Sequence, residues 1–90
     1  MLHEATSSLS GAEVLARAKA FFQDRVPANA AFLEKEGPAW LSLRGQGGEE
    51  IAIAVASLPG GCRVRASTLF FDQALGRFLS TLPPAEQGAA

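Results

Sequence analysis

The sequence has few of the residues that cross-link a small protein or carry catalysis. It contains one cysteine, Cys62, one histidine, His3, and no tyrosine among its 90 residues. A single cysteine cannot form an internal disulfide, and Cys62 and His3 alone are too few ligands for a structural metal site. Because a chain of this length buries a smaller share of its surface on folding than a larger domain does, we predict stabilisation by self-association rather than by a metal or a cofactor.

Charge and long apolar runs are equally limited. Eight Lys and Arg residues oppose nine Asp and Glu residues, giving a net charge of −1, and the basic residues are spread along the chain. That distribution is not typical of a nucleic-acid-binding domain. Residues 1–8 lack the basic start and apolar run of a signal peptide, and no apolar stretch approaches the roughly 20 residues that span a bilayer. The sequence therefore predicts a cytoplasmic protein whose partners include neither nucleic acid nor a membrane.

Both ends of the chain are polar or small and offer little to bury. We predict a disordered tail over residues 1–8, a single α+β domain over residues 9–83 and a second disordered tail over residues 84–90. Within the central segment, apolar residues follow a helical period near both ends and a period of two in between. This pattern predicts two helices flanking a sheet.

The predicted helices have recognisable starts and stops. Ser10 can cap the first helix while Glu13 returns a bond to it. The helix is expected to end near Arg25, because Pro27 disfavours helical geometry at Val26. Gly76 inside the second helix indicates a close approach to the sheet or to the first helix, because glycine is otherwise unfavourable there. Asp72 can cap this second helix, which carries apolar residues at helical spacing and stops at two prolines: Leu75, Phe78, Leu79, Leu82, Pro83 and Pro84.

The segment from Ala31 to Leu69 is predicted to form strands. Turns at Gly37-Pro38 and Gly60-Gly61 and a loop over residues 45–49 keep the apolar residues on one face. They predict a four-stranded antiparallel meander, with residues 31–44 as one bent strand of a three-stranded sheet left open as an alternative. Both helices are expected on the apolar face, giving a two-layer α-β-β-β-β-α fold. That face comprises Phe32, Leu41, Leu43, Ile51, Ile53, Val55, Val64 and Ala66.

The opposite face of the predicted sheet has an unusual composition. The predicted register places Trp40 beside Lys35 and Ala54, and three alanines form a flat floor where water-exposed strands more often carry Thr, Lys or Glu. Exposed aromatic and apolar patches usually mark interaction sites. In the alternative interpretation, alanine is frequent on this face only because it is common in the whole sequence. Trp40 then only covers the sheet, with Lys35 stacked on its ring. The candidate interface or ligand-binding residues are Lys35, Trp40, Ser42, Ala52, Ala54, Ala56, Arg63, Arg65 and Phe71.

No catalytic constellation is predicted. Cys62 would need a base or a positive environment to act as a nucleophile, and His3 is predicted to lie in a mobile tail. Glu34 and Glu36 share a strand face, as paired carboxylates do, but near a hairpin turn they are expected to be solvated. The glycine-rich residues 45–50 lack the lysine and the following helix of a phosphate-binding loop. We therefore predict that the protein is not an enzyme.

Two segments carry a resemblance to known proteins. Residues 36–50, EGPAWLSLRGQGGEE, and residues 67–84, STLFFDQALGRFLSTLPP, resemble small uncharacterised bacterial proteins built from a helix, a β-meander and a second helix. The resemblance implies that layout and no activity. A helix held against an antiparallel sheet is also similar to helix-grip lipid-binding folds, although this chain is too short for their large cavity.

These expectations converge on an interaction protein. The sequence predicts a non-enzymatic homodimeric module whose open sheet face mates with a second copy or with an unidentified protein partner. The alternative is a small-ligand-binding protein. It would take an apolar or weakly anionic molecule, either on the open face or between the helices and the sheet near Phe22, Phe71 and Phe78. Arg63 or Arg65 would meet the charge of that molecule.

Overall fold

Seven elements form the fold in the computed structural model, which describes residues 2–24, 31–45, 48–69 and 71–84. In chain order they are β1 (Leu2–Ser7), α1 (Gly11–Asp24), β2 (Ala31–Gly37), β3 (Trp40–Gly45), β4 (Glu50–Leu58), β5 (Gly61–Thr68) and α2 (Asp72–Ser80). The strands form one antiparallel sheet in the order β1-β5-β4-β3-β2. The α+β class and the antiparallel sheet are confirmed, whereas the sheet has five strands rather than the predicted four or three.

The additional strand, β1, lies in a segment that we predicted to be a disordered tail. It pairs with β5 along its whole length, from Leu2 opposite Ser67 to Ser7 opposite Cys62. The prediction of a disordered tail is therefore wrong for Leu2–Ser7, and Met1 lies outside the described residues. The strand depends mainly on its backbone ladder. Its apolar residue Leu2 is 55% exposed, and the side chains that point inward are small or polar. An apolar pattern of period two therefore could not reveal this strand.

The end of β1 is fixed to the rest of the fold by backbone contacts. The Leu9 N–H donates to Ser7 Oγ at 3.1 Å, and the Ser8 N–H donates to the Pro83 carbonyl at 3.0 Å. A Cβ atom at Gly61 would collide with the Ser7 carbonyl oxygen. Glycine at the start of β5 therefore permits the close approach of β1.

Helix α1 begins as predicted. The Glu13 N–H donates to Ser10 Oγ at 3.2 Å, and Ser10 Oγ donates to Glu13 Oε1 at 3.3 Å. This arrangement satisfies one of the free N–H groups of the first turn, where a carboxylate is also favourable. The helix ends at Asp24, and the stop predicted at Pro27 lies outside the described residues.

Helix α2 begins differently from the prediction. Asp72 is its first residue rather than its cap, and the preceding Phe71 makes no side-chain capping bond. The Phe71 N–H instead donates to Thr68 Oγ1 at 3.1 Å, while the Asp72 carboxylate bonds to His3. Gly76 has open space where a Cβ would stand. The close approach predicted at this glycine is therefore wrong.

The centre of the sheet follows the predicted register. Leu41 lies opposite Ile53, and Leu43 lies opposite Ile51. Between β4 and β5 the partners differ. The predicted Gly60-Gly61 turn would place Val55 opposite Ala66, whereas Val55 lies opposite Val64. The turn uses Pro59-Gly60 rather than Gly60-Gly61, which moves the register by two residues. A shift of two leaves every side chain on its predicted face.

The edge strand β2 departs from the prediction in a way that changes faces. A turn at Pro38-Ala39 pairs Gly37 with Trp40, and a bulge between Leu33 and Lys35 shifts the pairing farther along the strand. Phe32, predicted to be buried, is therefore 55% exposed on the outer face, while Ala31 and Leu33 pack towards the core. The separate strands β2 and β3 exclude the single bent strand over residues 31–44.

Both helices contribute to one core on one face of the sheet. The ring centroids of Phe21 and Phe22 lie 5.5 and 6.0 Å from that of Phe78, which joins α1 to α2. Neither helix is long and apolar enough to cross a membrane. Described core residues from both layers are Val14, Leu15, Ala18, Phe21, Phe22, Ala31, Leu41, Leu43, Ile51, Ile53, Cys62, Val64, Ala66, Phe71, Leu75, Phe78 and Leu82.

Candidate functional site

The face of the sheet that points away from the helices, here called the open face, has its side chains in four cross-strand rows. We name each row by one residue. Read from β1 towards β2, the Arg63 row contains Thr6, Arg63 and Ala56; the Trp40 row contains Glu4, Arg65, Ala54, Trp40 and Gly37; the Ser42 row contains Leu2, Ser67, Ala52, Ser42 and Lys35; and the Arg44 row contains Glu50, Arg44 and Phe32.

The middle two rows form a shallow depression of about 460 Å³. Its floor consists of short side chains on β3, β4 and β5, because alanine and serine occupy the outward positions there. Trp40, 42% exposed, and Leu2, 55% exposed, stand on opposite sides of this floor. Charged groups at the edge of the depression are Lys35, Glu50 and Arg65.

Most of the sequence-predicted residues meet in this depression. Lys35, Trp40, Ser42, Ala52, Ala54 and Arg65 line it. Ala56 and Arg63 lie on the same face in the adjacent row. Phe71, however, is 5% exposed and belongs to the core on the other side of the sheet, so it does not line the open face. Phe70, its neighbour at the junction, lies outside the described residues.

The Trp40 ring is held over backbone rather than under a lysine. Its cross-strand partner is Gly37, and a Cβ atom at that position would collide with the indole nitrogen. Lys35 instead lies opposite Ser42, one row away. The stacking of Lys35 on Trp40 that the alternative interpretation required is therefore not the arrangement found. Glycine at position 37 lets the indole lie close to the strand while leaving much of the ring open to solvent.

Ion pairs organise the charges around the depression. Arg44 Nε and Nη2 donate to the two carboxylate oxygens of Glu34 at 2.8 and 2.9 Å, and Arg44 Nη1 donates to the Gly48 carbonyl at 2.7 Å. The hydrogen bond from Arg44 holds the pKa of Glu34 below its ordinary value. Arg65 Nε lies 3.1 Å from Glu4 Oε2 across β5 and β1. The two parallel hydrogen bonds from Arg44 orient the Glu34 side chain, whereas the contact between Arg65 and Glu4 is a single one between exposed groups.

The two glutamates considered as an acid/base pair are separated by the β2 bulge. Glu34 bonds to Arg44 of the neighbouring strand, whereas Glu36 accepts a 3.0 Å hydrogen bond from Lys19 Nζ of α1. Each carboxylate therefore has its own cationic partner. The two groups do not form a shared site.

The other reactive side chains also lie apart. Cys62 is 1% exposed, and burial raises the pKa of its thiol. Cys62 lies opposite Ser7 on β1. Ser7 is four residues from His3 along the strand, a distance of about 13 Å. Among the described residues, no three His, Cys, Asp or Glu side chains come together as a metal site would require.

A contact that the sequence analysis missed joins His3 to α2. His3 Nε2 lies 2.9 Å from Asp72 Oδ1, and this hydrogen bond holds the pKa of Asp72 below its ordinary value. The pair orients an imidazole, but the buried thiol of Cys62 is out of its reach. Only the placement of β1 beside β5 brings residues 3 and 72 together, so no local sequence pattern indicated the contact.

Comparison of the chain with protein-family models, with curated proteins and with solved structures finds no match in any of the three. The geometry of the open face is therefore the basis for a functional assignment.

Proposed function

We propose that the protein is a non-enzymatic interaction module that forms a homodimer through its open face. The observation that carries the proposal is the exposed apolar centre of this face, where Trp40 and Leu2 flank a floor of alanine and serine. An aromatic side chain beside a depression is typical of the anchors that dominate protein interfaces. Charged residues surround this centre: Arg63, Glu50 and Arg44 lie in the outer rows, and Glu4, Arg65 and Lys35 lie towards the ends of the middle rows, which resembles the polar rim of an interface.

A second copy of the chain is the partner that this surface favours. Five strands about 4.8 Å apart and about 25 Å long present roughly 600 Å² of face, so two copies would bury about 1,200 Å². That area is at the lower end of the range for specific interfaces. Burial on this scale would also supply the stabilisation that a domain of this size needs.

The test is the oligomeric state of the wild-type protein and of Trp40→Glu. We expect sedimentation to give a dimer for the wild type and a monomer for Trp40→Glu, with unchanged helix content by circular dichroism. Ala20→Glu, which adds the same charge on the exposed side of α1, is the matched control and should remain dimeric. A monomeric wild type, or a dimeric Trp40→Glu, would contradict the proposal.

The depression also supports a second candidate, the binding of a small apolar anion. Its volume of about 460 Å³ falls within the usual range for ligand pockets, about 300–1,000 Å³. Lys35 and Arg65 stand at its edge and could meet a carboxylate. Decanoate is a suitable probe. Binding to a monomeric wild type that is lost in Trp40→Glu would favour this candidate, and the absence of binding would exclude it for this class of ligand.

A further inference from the structure

We propose that the two copies dock about a twofold axis that lies in the plane of the open face and runs across the strands, between the Trp40 row and the Ser42 row. This inference rests on the homodimer proposed above and adds its geometry and its paired residues. Such an axis places each strand over the same strand of the second copy, in the opposite direction. Packed sheets keep their strand directions within about 30° of each other, which this arrangement satisfies.

In the two middle rows, this axis places several large side chains of one copy over small ones of the other. The axis exchanges the two middle rows, so Trp40 of one copy stands over Ser42 of the other and Lys35 stands over Gly37. On the other strands Arg65 meets Ser67, whereas Ala54 meets Ala52 and Leu2 meets Glu4. The indole of each copy would then fill part of the depression of the other. Close packing of this kind is what distinguishes a specific interface from a casual contact.

In the outer rows, the same symmetry brings opposite charges of the two copies together. The same axis exchanges the Arg63 row with the Arg44 row, and Glu50 belongs to the Arg44 row. Arg63 of one copy therefore lies close to Glu50 of the other, one strand aside and within reach of a long side chain. Twofold symmetry repeats this contact at the opposite end of the face. Arg44 already binds both carboxylate oxygens of Glu34, which leaves Arg63 as the cation best placed to meet Glu50.

A twofold axis parallel to the strands fits the surface less well. An axis along β4, the central strand, would place Trp40 over Arg65 and each alanine over its own copy. Two large side chains, Trp40 and Arg65, would then meet each other, instead of each meeting a serine. Arg63 and Glu50 would stay at opposite ends of the face, about 20 Å apart along the strands.

Chemical cross-linking distinguishes the two axes. We would compare Ala56→Cys, Glu50→Cys and an equimolar mixture of both after subunit exchange, in a Cys62→Ala background and with a short bismaleimide reagent. The proposed axis sets position 56 opposite position 50 of the second copy, about 10 Å away, and more than about 20 Å from its own equivalent. We expect a cross-linked heterodimer in the mixture and no cross-link in either single variant. Ala20→Cys on α1 is the control.

Charge exchange provides an independent readout. Arg63→Glu or Glu50→Arg alone should weaken dimerisation about tenfold or more, because each creates two like-charge contacts. Mixing the two variants should restore a heterodimer of near wild-type affinity, since both contacts again join opposite charges. Equal weakening in the mixture would overturn the proposed axis.

The outcomes also separate this inference from the proposed function. If Ala56→Cys cross-links to itself and the mixture does not form the heterodimer, the dimer stands but its axis is wrong. If the wild type is dimeric and no pair cross-links, the interface lies elsewhere and the axis is likewise wrong. If the wild type is a monomer, the homodimer itself fails.

Discussion

The two faces of one sheet use the same alternating backbone for different purposes. On β4, Ile51 and Ile53 point inward and are at most 1% exposed, whereas Ala52 and Ala54 point outward from the same strand. An ordinary two-layer sheet alternates large apolar residues with charged or hydroxyl ones. Here large residues alternate with small ones. The inner face therefore buries the core side chains, whereas the short outward side chains leave a depression between Trp40 and Leu2.

The sharpest way to test this contrast is to change neighbouring residues on one strand. Ile53→Ala should lower the free energy of unfolding by about 2–5 kcal/mol, since it removes a fully buried side chain and leaves a cavity. Ala54→Ser, one residue away on the open face, should change that free energy by less than about 0.5 kcal/mol. Urea denaturation at one fixed protein concentration measures both. Similar losses for the two variants would remove the distinction between the faces.

A second test concerns β1, which buries few apolar side chains and which Gly61 of β5 allows to approach closely. Gly61→Ala should lower the free energy of unfolding by about 1–3 kcal/mol, because its Cβ would collide with the Ser7 carbonyl. Hydrogen exchange should show that the loss is largest in the amides of β1. An unchanged exchange rate there would mean that β1 does not depend on this close approach.

A smaller effect is expected in the helix layer that covers the core face. Gly76→Ala should raise the free energy of unfolding by about 0.5–1 kcal/mol, since glycine is unfavourable within a helix and its position has open space for a methyl group. Thermal unfolding measures the gain. A loss of stability would indicate a neighbour that restricts this position.

The smallest effect is expected on the stability of the protein in acid. It can be tested with one carboxylate from each side of the sheet. Folding lowers the pKa of Asp72, bonded to His3, and of Glu34, bonded to Arg44, below their ordinary values of 3.8 and 4.5. The stabilisation they provide is complete above those values and is lost as the pH falls through the lowered ones. Asp72→Asn and Glu34→Gln should each flatten the decline of unfolding free energy below about pH 5. An unaltered acid profile in both variants would contradict the assignment.

Parts of this fold could be predicted because local signals and burial agree. The loop over residues 45–49 and the alternating apolar residues fix the pairing of β3 with β4, since a slip of one residue would bury charge. The capping signal at Ser10 locates the start of α1 for a similar reason. These features depend on neighbours in sequence, so a single sequence is sufficient to find them.

Other parts depend on contacts that sequence patterns do not contain. Strand β1 is held by backbone bonds to β5, sixty residues away along the chain, and its side chains give no apolar period. The bulge in β2 places Phe32 on the outer face and Ala31 on the inner face, the reverse of the prediction. No proline or glycine at position 34 indicates this bulge in the sequence. Which residues of β4 and β5 lie on the open face could be predicted, because a register error of two residues leaves each side chain on the same face. Which residues lie opposite each other, and therefore which charges pair, could not be predicted without the correct register.

The bulge in β2 has a further consequence for how many copies can associate. β2 is an edge strand, and an unbroken edge presents a row of free backbone groups on which further chains can add as new strands. The irregular pairing between Leu33 and Lys35 interrupts the regular spacing that such addition needs. Growth from this edge into extended fibrils is therefore discouraged. The protection applies to this edge alone, because β1 at the other edge of the sheet pairs with β5 without a register shift.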